Sequence, residues 1–180
     1  IYSELEQGIY VAVGEVGIDL HWDESLKMEQ IKAFETQLEW SRDYDLPLSI
    51  HFRNAFKEVV ESVKRFGKDS LRGVFHSFGG SREELDEIAS LGNFLIGING
   101  VVTFKNSGLF EVLIDCPTDL VVLETDSPYL SPSPFRGKRN ESGYLPFIIE
   151  KLANAWKMDN RTVKAITTKN AATMFNVPLS

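Results

Sequence analysis

Leu120-Val121-Val122-Leu123-Glu124-Thr125-Asp126-Ser127-Pro128-Tyr129-Leu130 sets the architecture of this chain. Four successive apolar residues, two of them β-branched and the run too short for a helix, read as a strand buried on both faces. Two carboxylates follow at once, and Pro128 bars the strand from continuing. A buried strand that delivers Asp126 to its C-terminal tip is how an α/β barrel presents a catalytic group. Asp-Ser-Pro is also good turn chemistry, in which Asp126 merely caps the bend. On this stretch alone both readings stand.

The same pattern recurs upstream. After a polar lead over residues 1–8, read as a helix tail or a loop ending at Gly8, Ile9-Tyr10-Val11-Ala12-Val13 is strand-like and runs into Gly14-Glu15-Val16-Gly17-Ile18-Asp19. Residues 23–45 read as a helix with Ile31, Phe34 and Leu38 on one stripe. Leu48-Ser49-Ile50 is a short strand ending at His51. Asn54 is expected to cap a helix carrying Phe56, Val59, Val60 and Val63, stopped by Gly67. Leu71-Arg72-Gly73-Val74-Phe75 is a strand ending at His76. Ser81 and Glu84 spell a capping box for a helix with Leu85, Ile88 and Ala89. Residues 94–98 form a strand ending at Asn99, and a short helix over 109–114 leads to the segment quoted first. A Pro- and Ser-rich loop and two helices, near 146–157 and 161–174, complete the chain.

Strands alternating with helices mean βα units and a parallel sheet, read as a single domain over residues 1–180. An open doubly wound sheet and a (β/α)8 barrel of the TIM type both satisfy the pattern. Five strands are visible where a closed barrel needs eight. Length therefore favours the open sheet, and the chemistry described next favours the barrel.

The 180 residues carry a net charge of −7, with 43% hydrophobic and 25% charged residues. No broad basic surface draws nucleic acid by charge alone, so a polyanionic substrate needs metal ions or a local basic patch. The single Cys116 excludes an internal disulfide framework and a cysteine-based zinc cluster. No apolar run approaches the roughly 20 residues that span a bilayer, and the expected location is cytoplasmic.

Glu15, His51, His76, Asn99 and Asp126 are the residues read at the strand ends. Two imidazoles and two carboxylates make a mixed N/O ligand set suited to Zn²⁺, Mn²⁺ or similar divalent ions. Each has a plainer reading: His51 and His76 as hydrogen-bonded core histidines, Asp126 as a turn residue. Glu15, between small neighbours, is expected to be buried and to need a metal or an arginine partner. His21 reads as a loop residue rather than a ligand. Arg136, Lys138 and Arg139 are either a solvated loop or a phosphate clamp over the site, and Arg53, two residues past His51, could act likewise.

Gly14-Glu15-Val16-Gly17-Ile18-Asp19, Ile50-His51-Phe52-Arg53, Phe75-His76-Ser77-Phe78-Gly79-Gly80 and Glu124-Thr125-Asp126-Ser127-Pro128-Tyr129-Leu130 occur in that order. Phe135-Arg136-Gly137-Lys138-Arg139-Asn140 and Thr168-Lys169-Asn170-Ala171-Ala172 follow them. Together these resemble the TatD-type metal-dependent deoxyribonucleases of the amidohydrolase-like barrel superfamily. The resemblance implies a (β/α)8 barrel that hydrolyses phosphodiesters in DNA, single-stranded DNA above all, with two divalent ions (Mg, Mn or Zn). It further implies that Glu15 bridges the ions, that His51 and His76 bind one and that Asp126 binds the other. Asp126 would also orient or deprotonate the attacking water, and Arg53, Arg136, Lys138 and Arg139 would hold phosphate oxygens. The His-x-His pair that opens such chains has no counterpart here. Ile1, which is not Met, stands just before what would be the fourth strand, so the expectation is a chain lacking its first three strands. Two rival expectations accompany this one. They are another metal hydrolase of the same scaffold acting on a small substrate, and a non-catalytic metal-binding remnant.

Overall fold

The computed structural model describes residues 2–179. Five strands, β1 (Val13–Asp19), β2 (Leu48–Arg53), β3 (Gly73–Phe75), β4 (Phe94–Ile98) and β5 (Val121–Leu123), pair in parallel in the order β1-β2-β3-β4-β5. A doubly wound sheet reverses its order at a switch point. This one never does, and strands that follow one another in both sequence and space form the arc of a barrel.

Among the described residues seven α-helices connect and flank the strands: α1 (Tyr2–Leu5), α2 (Lys27–Asp43), α3 (Phe56–Phe66), α4 (Arg82–Ser90), α5 (Leu109–Leu113), α6 (Leu145–Trp156) and α7 (Asn160–Phe175). α2 begins four residues later than its periodicity indicates. Asp23 accepts the backbone N–H and the hydroxyl of Ser25, a local turn that competes with helix. Asn54 is not the side-chain cap of α3. Ala55 holds the N-cap position, and Asn54 adopts φ +54°, turning its amide toward Nδ1 of His21 at 3.5 Å. The capping box of α4 forms as read, with Ser81 accepting from Glu84 N–H and the Glu84 carboxylate accepting from Ser81 N–H. Ile9, Tyr10 and Val11 precede β1 instead of belonging to it, and all three are exposed. Ile1 lies outside the described residues.

Alternation along the strands divides their side chains between two faces. Ile18, Ile50, Phe75, Ile96 and Val121 join the helical residues Phe34, Leu38, Val63, Ile88 and Leu152 in the main core. Phe75 is its aromatic hub, with ring centroids 5.6 Å from Phe94 and 5.8 Å from Phe52. On the opposite face Val74 and Val122 meet Met174 of α7 in a small second cluster. His76 and Glu124 stand two residues beyond these valines on the same face. An apolar plug at the N-terminal end thus gives way to polar chemistry at the C-terminal end, where barrels carry their sites.

Candidate metal centre

Glu15 is not at the end of its strand but third within β1, and its side chain is 51% exposed rather than buried. The cost of burying a carboxylate therefore does not explain it. The pairing of β1 with β2 is irregular between Val13 and Val16, a bulge of the kind that re-aims a side chain. Glu15 Oε1 lies 2.9 Å from His51 Nδ1. His76 follows β3 directly, and its Nε2 is 3.6 Å from Asp126 Oδ1. Donor atoms of Glu15, His51 and His76 all lie within 4.8 Å of one another. Residues within β1 and β2 and just beyond β3 and β5 thus converge, and their nitrogen and oxygen donors fit a divalent ion of the zinc or manganese type.

Behind each imidazole stands a second carboxylate that the sequence reading did not assign to the site. Glu124 Oε2 lies 2.9 Å from His76 Nδ1, and Oε1 accepts the backbone N–H of Ser77. Asp19 Oδ2 lies 3.2 Å from His51 Nε2. Each ring therefore has one nitrogen held from behind and the other facing the cluster, an arrangement that fixes ring orientation and raises ligand basicity. A Cβ on Gly97 would come within 2.4 Å of the Glu124 carboxylate, so this position must lack a side chain for Glu124 to reach His76. The signals were present in the sequence, since both acids lie in the quoted motifs, but nothing marked them as partners of histidines.

The electrostatics follow from this packing. The Glu124 hydrogen bond raises the pKa of His76, outweighing burial, which acts the other way. Burial, with the charges of Glu124 and Glu15, raises the pKa of Asp126 against the attraction of His76. At Asp19 burial is outweighed by the His21 N–H and the His51 ring, and the pKa falls. Asp126 and Ser77 both adopt left-handed backbone conformations, with φ of +58° and +52°, uncommon for residues other than glycine and frequent at functional sites. Buried Asn140 secures the Asp126 loop by donating to the carbonyls of Thr125 (2.7 Å) and Tyr129 (2.6 Å). Asn99 faces inward, its amide donating to Ser77 Oγ and accepting from Val101 N–H.

A cleft of about 430 Å³ opens over the cluster, lined by Glu15, His51, His76 and Asp126 with Arg53 and Tyr129 at its rim. Trp22, 84% exposed, lies beside Arg53, whose guanidinium is 5.8 Å from the indole centroid. Arg136, Lys138 and Arg139 do not line this cleft. Arg136 instead packs over Phe104 at 4.1 Å in a neighbouring groove, and Lys138 lies over Phe135.

An arc of parallel strands with an imidazole–carboxylate cluster at its C-terminal edge defines a barrel of the metal-hydrolase class. Residues 1–176 match the family described as TatD related DNase, and the chain belongs to that family. It is 40% identical over 168 residues to the uncharacterized metal-dependent hydrolase YabD of Bacillus subtilis, covering 93% of this chain and 66% of that protein. It is 33% identical over 186 residues to the 3'-5' ssDNA/RNA exonuclease TatD of Klebsiella pneumoniae, covering 100% of this chain and 70% of that one. The crystal structure of YJJV, a TatD homologue from Escherichia coli, superposes with a TM-score of 0.90 at 29% identity, over 98% of this chain and 68% of that one. The chain thus spans about two thirds of the length of these relatives. Among the described residues no helix is long and apolar enough to cross a membrane.

Proposed function

We propose that this chain is a cytoplasmic, divalent-metal-dependent hydrolase, folded as one domain, that cleaves phosphodiester bonds in single-stranded DNA. The observation that carries this reading is the convergence of Glu15, His51 and His76 donor atoms within 4.8 Å, with Asp126 beside them. His51 and His76 would hold one ion, Glu15 would bridge to a second, and Asp126 would bind the second. Bound there, divalent ions supply Lewis acidity and lower the pKa of a water toward neutrality.

The chain's own side chains do the rest. Asp126, beside His76, accepts the proton of the attacking water at its carboxylate. Glu124 and Asp19 keep the two imidazoles oriented, so that the donor set needs no reorganisation as charge develops. Arg53 at the rim offers a planar fork to a phosphate oxygen. The exposed rings of Trp22 and Tyr129 favour unpaired bases, which present faces that duplex DNA hides. The name of the Klebsiella relative supports a single-stranded nucleic-acid substrate.

The test is hydrolysis of end-labelled single-stranded DNA with manganese or magnesium, before and after exhaustive EDTA treatment. Cleavage that vanishes on chelation and returns with added metal is the expected result. Cleavage that persists without metal, or hydrolysis of cyclic amides in its place, overturns the reading.

A further inference from the structure

A second groove, of about 590 Å³, lies beside the metal cleft and is lined by Phe104, Lys105, Asn106, Ser107, Ser133 and Arg136 among others. Its size falls in the range of about 300–1,000 Å³ typical of ligand sites. Cleft and groove are consecutive along one chain segment, with Tyr129 and Leu130 lining the first and Ser133 and Arg136 the second. The two walls of the groove are tied together. Ser133 N–H donates to Thr103 Oγ1 at 2.8 Å, and Gly100 packs so closely on Leu130 that an added Cβ would lie 2.1 Å from its carbonyl oxygen.

The lining is chemically one-sided. In a chain of net charge −7, this groove presents Lys105 and Arg136 and no carboxylate. Among the described residues neither cation forms an ion pair, whereas Lys27, Lys64 and Arg72 each pair with a carboxylate. The Arg136 guanidinium lies 4.1 Å from the Phe104 centroid. One face of the guanidinium is thereby fixed on the ring, and its edge donors remain available to an anion. A planar cation on an aromatic ring, a second point charge and neutral hydroxyl and amide groups fit phosphates alternating with bases.

We propose that this groove is a second nucleic-acid subsite, holding the nucleotides of a single strand that extend beyond the one seated in the metal cleft. The proposal rests on the nuclease reading of that cleft and adds to it a strand path and a requirement for a substrate several nucleotides long.

The experiment is equilibrium binding of a fluorescein-labelled thymidine octanucleotide, followed by anisotropy in EDTA so that no cleavage intervenes. Lys105→Glu and Arg136→Glu, both at exposed positions, are compared with the unmodified protein and with Lys57→Glu, an exposed control distant from the groove in sequence. The expected result is at least tenfold weaker binding for each groove variant and less than twofold for the control. The salt dependence of log K against log [salt] should also become shallower, by about 0.7 for each phosphate that the variant no longer neutralises. Equal weakening in all three variants, unchanged binding in the groove variants, or no measurable binding by the unmodified protein overturns the proposal. Failure of the nuclease reading shows separately, as absent metal-dependent cleavage by the unmodified protein.

Discussion

Glu124 holds His76 from behind, with Oε2 2.9 Å from Nδ1, so that the ring's Nε2 is the nitrogen turned toward Asp126. An ionised carboxylate can only accept, so Nδ1 carries the proton in this contact. Glu124→Gln keeps the shape and removes the charge. Manganese affinity measured by calorimetry should fall by about 10- to 100-fold, the usual effect of losing such a partner. Affinity within twofold of the unmodified protein would remove Glu124 from any role at the site.

The same pair makes the metal-free protein's stability depend on pH. The folded pKa of His76 is raised above its ordinary value of 6.5. The resulting stabilisation is fully present below the unfolded value and is lost as pH rises through the folded one. In EDTA, melting temperature should decline as pH rises above 6.5, and Glu124→Gln should flatten that decline. An identical slope in both proteins refutes the assignment to this pair.

Trp22 is 84% exposed beside Arg53 at the mouth of the cleft. Stacking of a base on such a ring is worth about 1–3 kcal/mol. Trp22→Ala should therefore raise KM for a single-stranded oligonucleotide by about tenfold while leaving KM for a bis-aryl phosphate diester unchanged. Equal changes for both substrates would point to a disturbed cleft instead of missing base stacking.

Cys116 is buried, and burial pushes its thiol up to about 12. The thiolate is the reactive form. Iodoacetamide near neutral pH should leave the folded protein unmodified by mass spectrometry and label it once after denaturation. Rapid labelling of the native state would contradict the packing around this residue.

Phe75 is fully buried between Phe52, Phe56 and Phe94. Phe75→Ala removes the hub of this cluster and should cost about 3–5 kcal/mol in denaturant-induced unfolding. A loss under about 1 kcal/mol would mean that the sheet and α3 do not pack as described.

Short apolar runs, 3.6-residue stripes, Pro and Gly punctuation and one capping box were enough to place β2 to β5 and the six longer helical segments, because these signals are local, whereas β1 begins only where the apolar run over 9–13 ends. The motifs carrying Glu15, His51, His76 and Asp126 were legible for the same reason: each sits on or just beyond a short apolar run. What only the tertiary structure decided is non-local. The unreversed strand order chose the barrel arc over the doubly wound sheet. Glu15, half exposed within the irregular stretch of β1, meets His51 of the neighbouring strand. Glu124 met His76 across 48 residues, and Asp19 met His51 across 32. Arg136 packs on Phe104 instead of lining the cleft of Glu15, His51 and His76. Sequence records which face of its own element a side chain occupies, whereas which strand becomes its neighbour follows from how the helices pack the sheet, and that is a property of the whole fold.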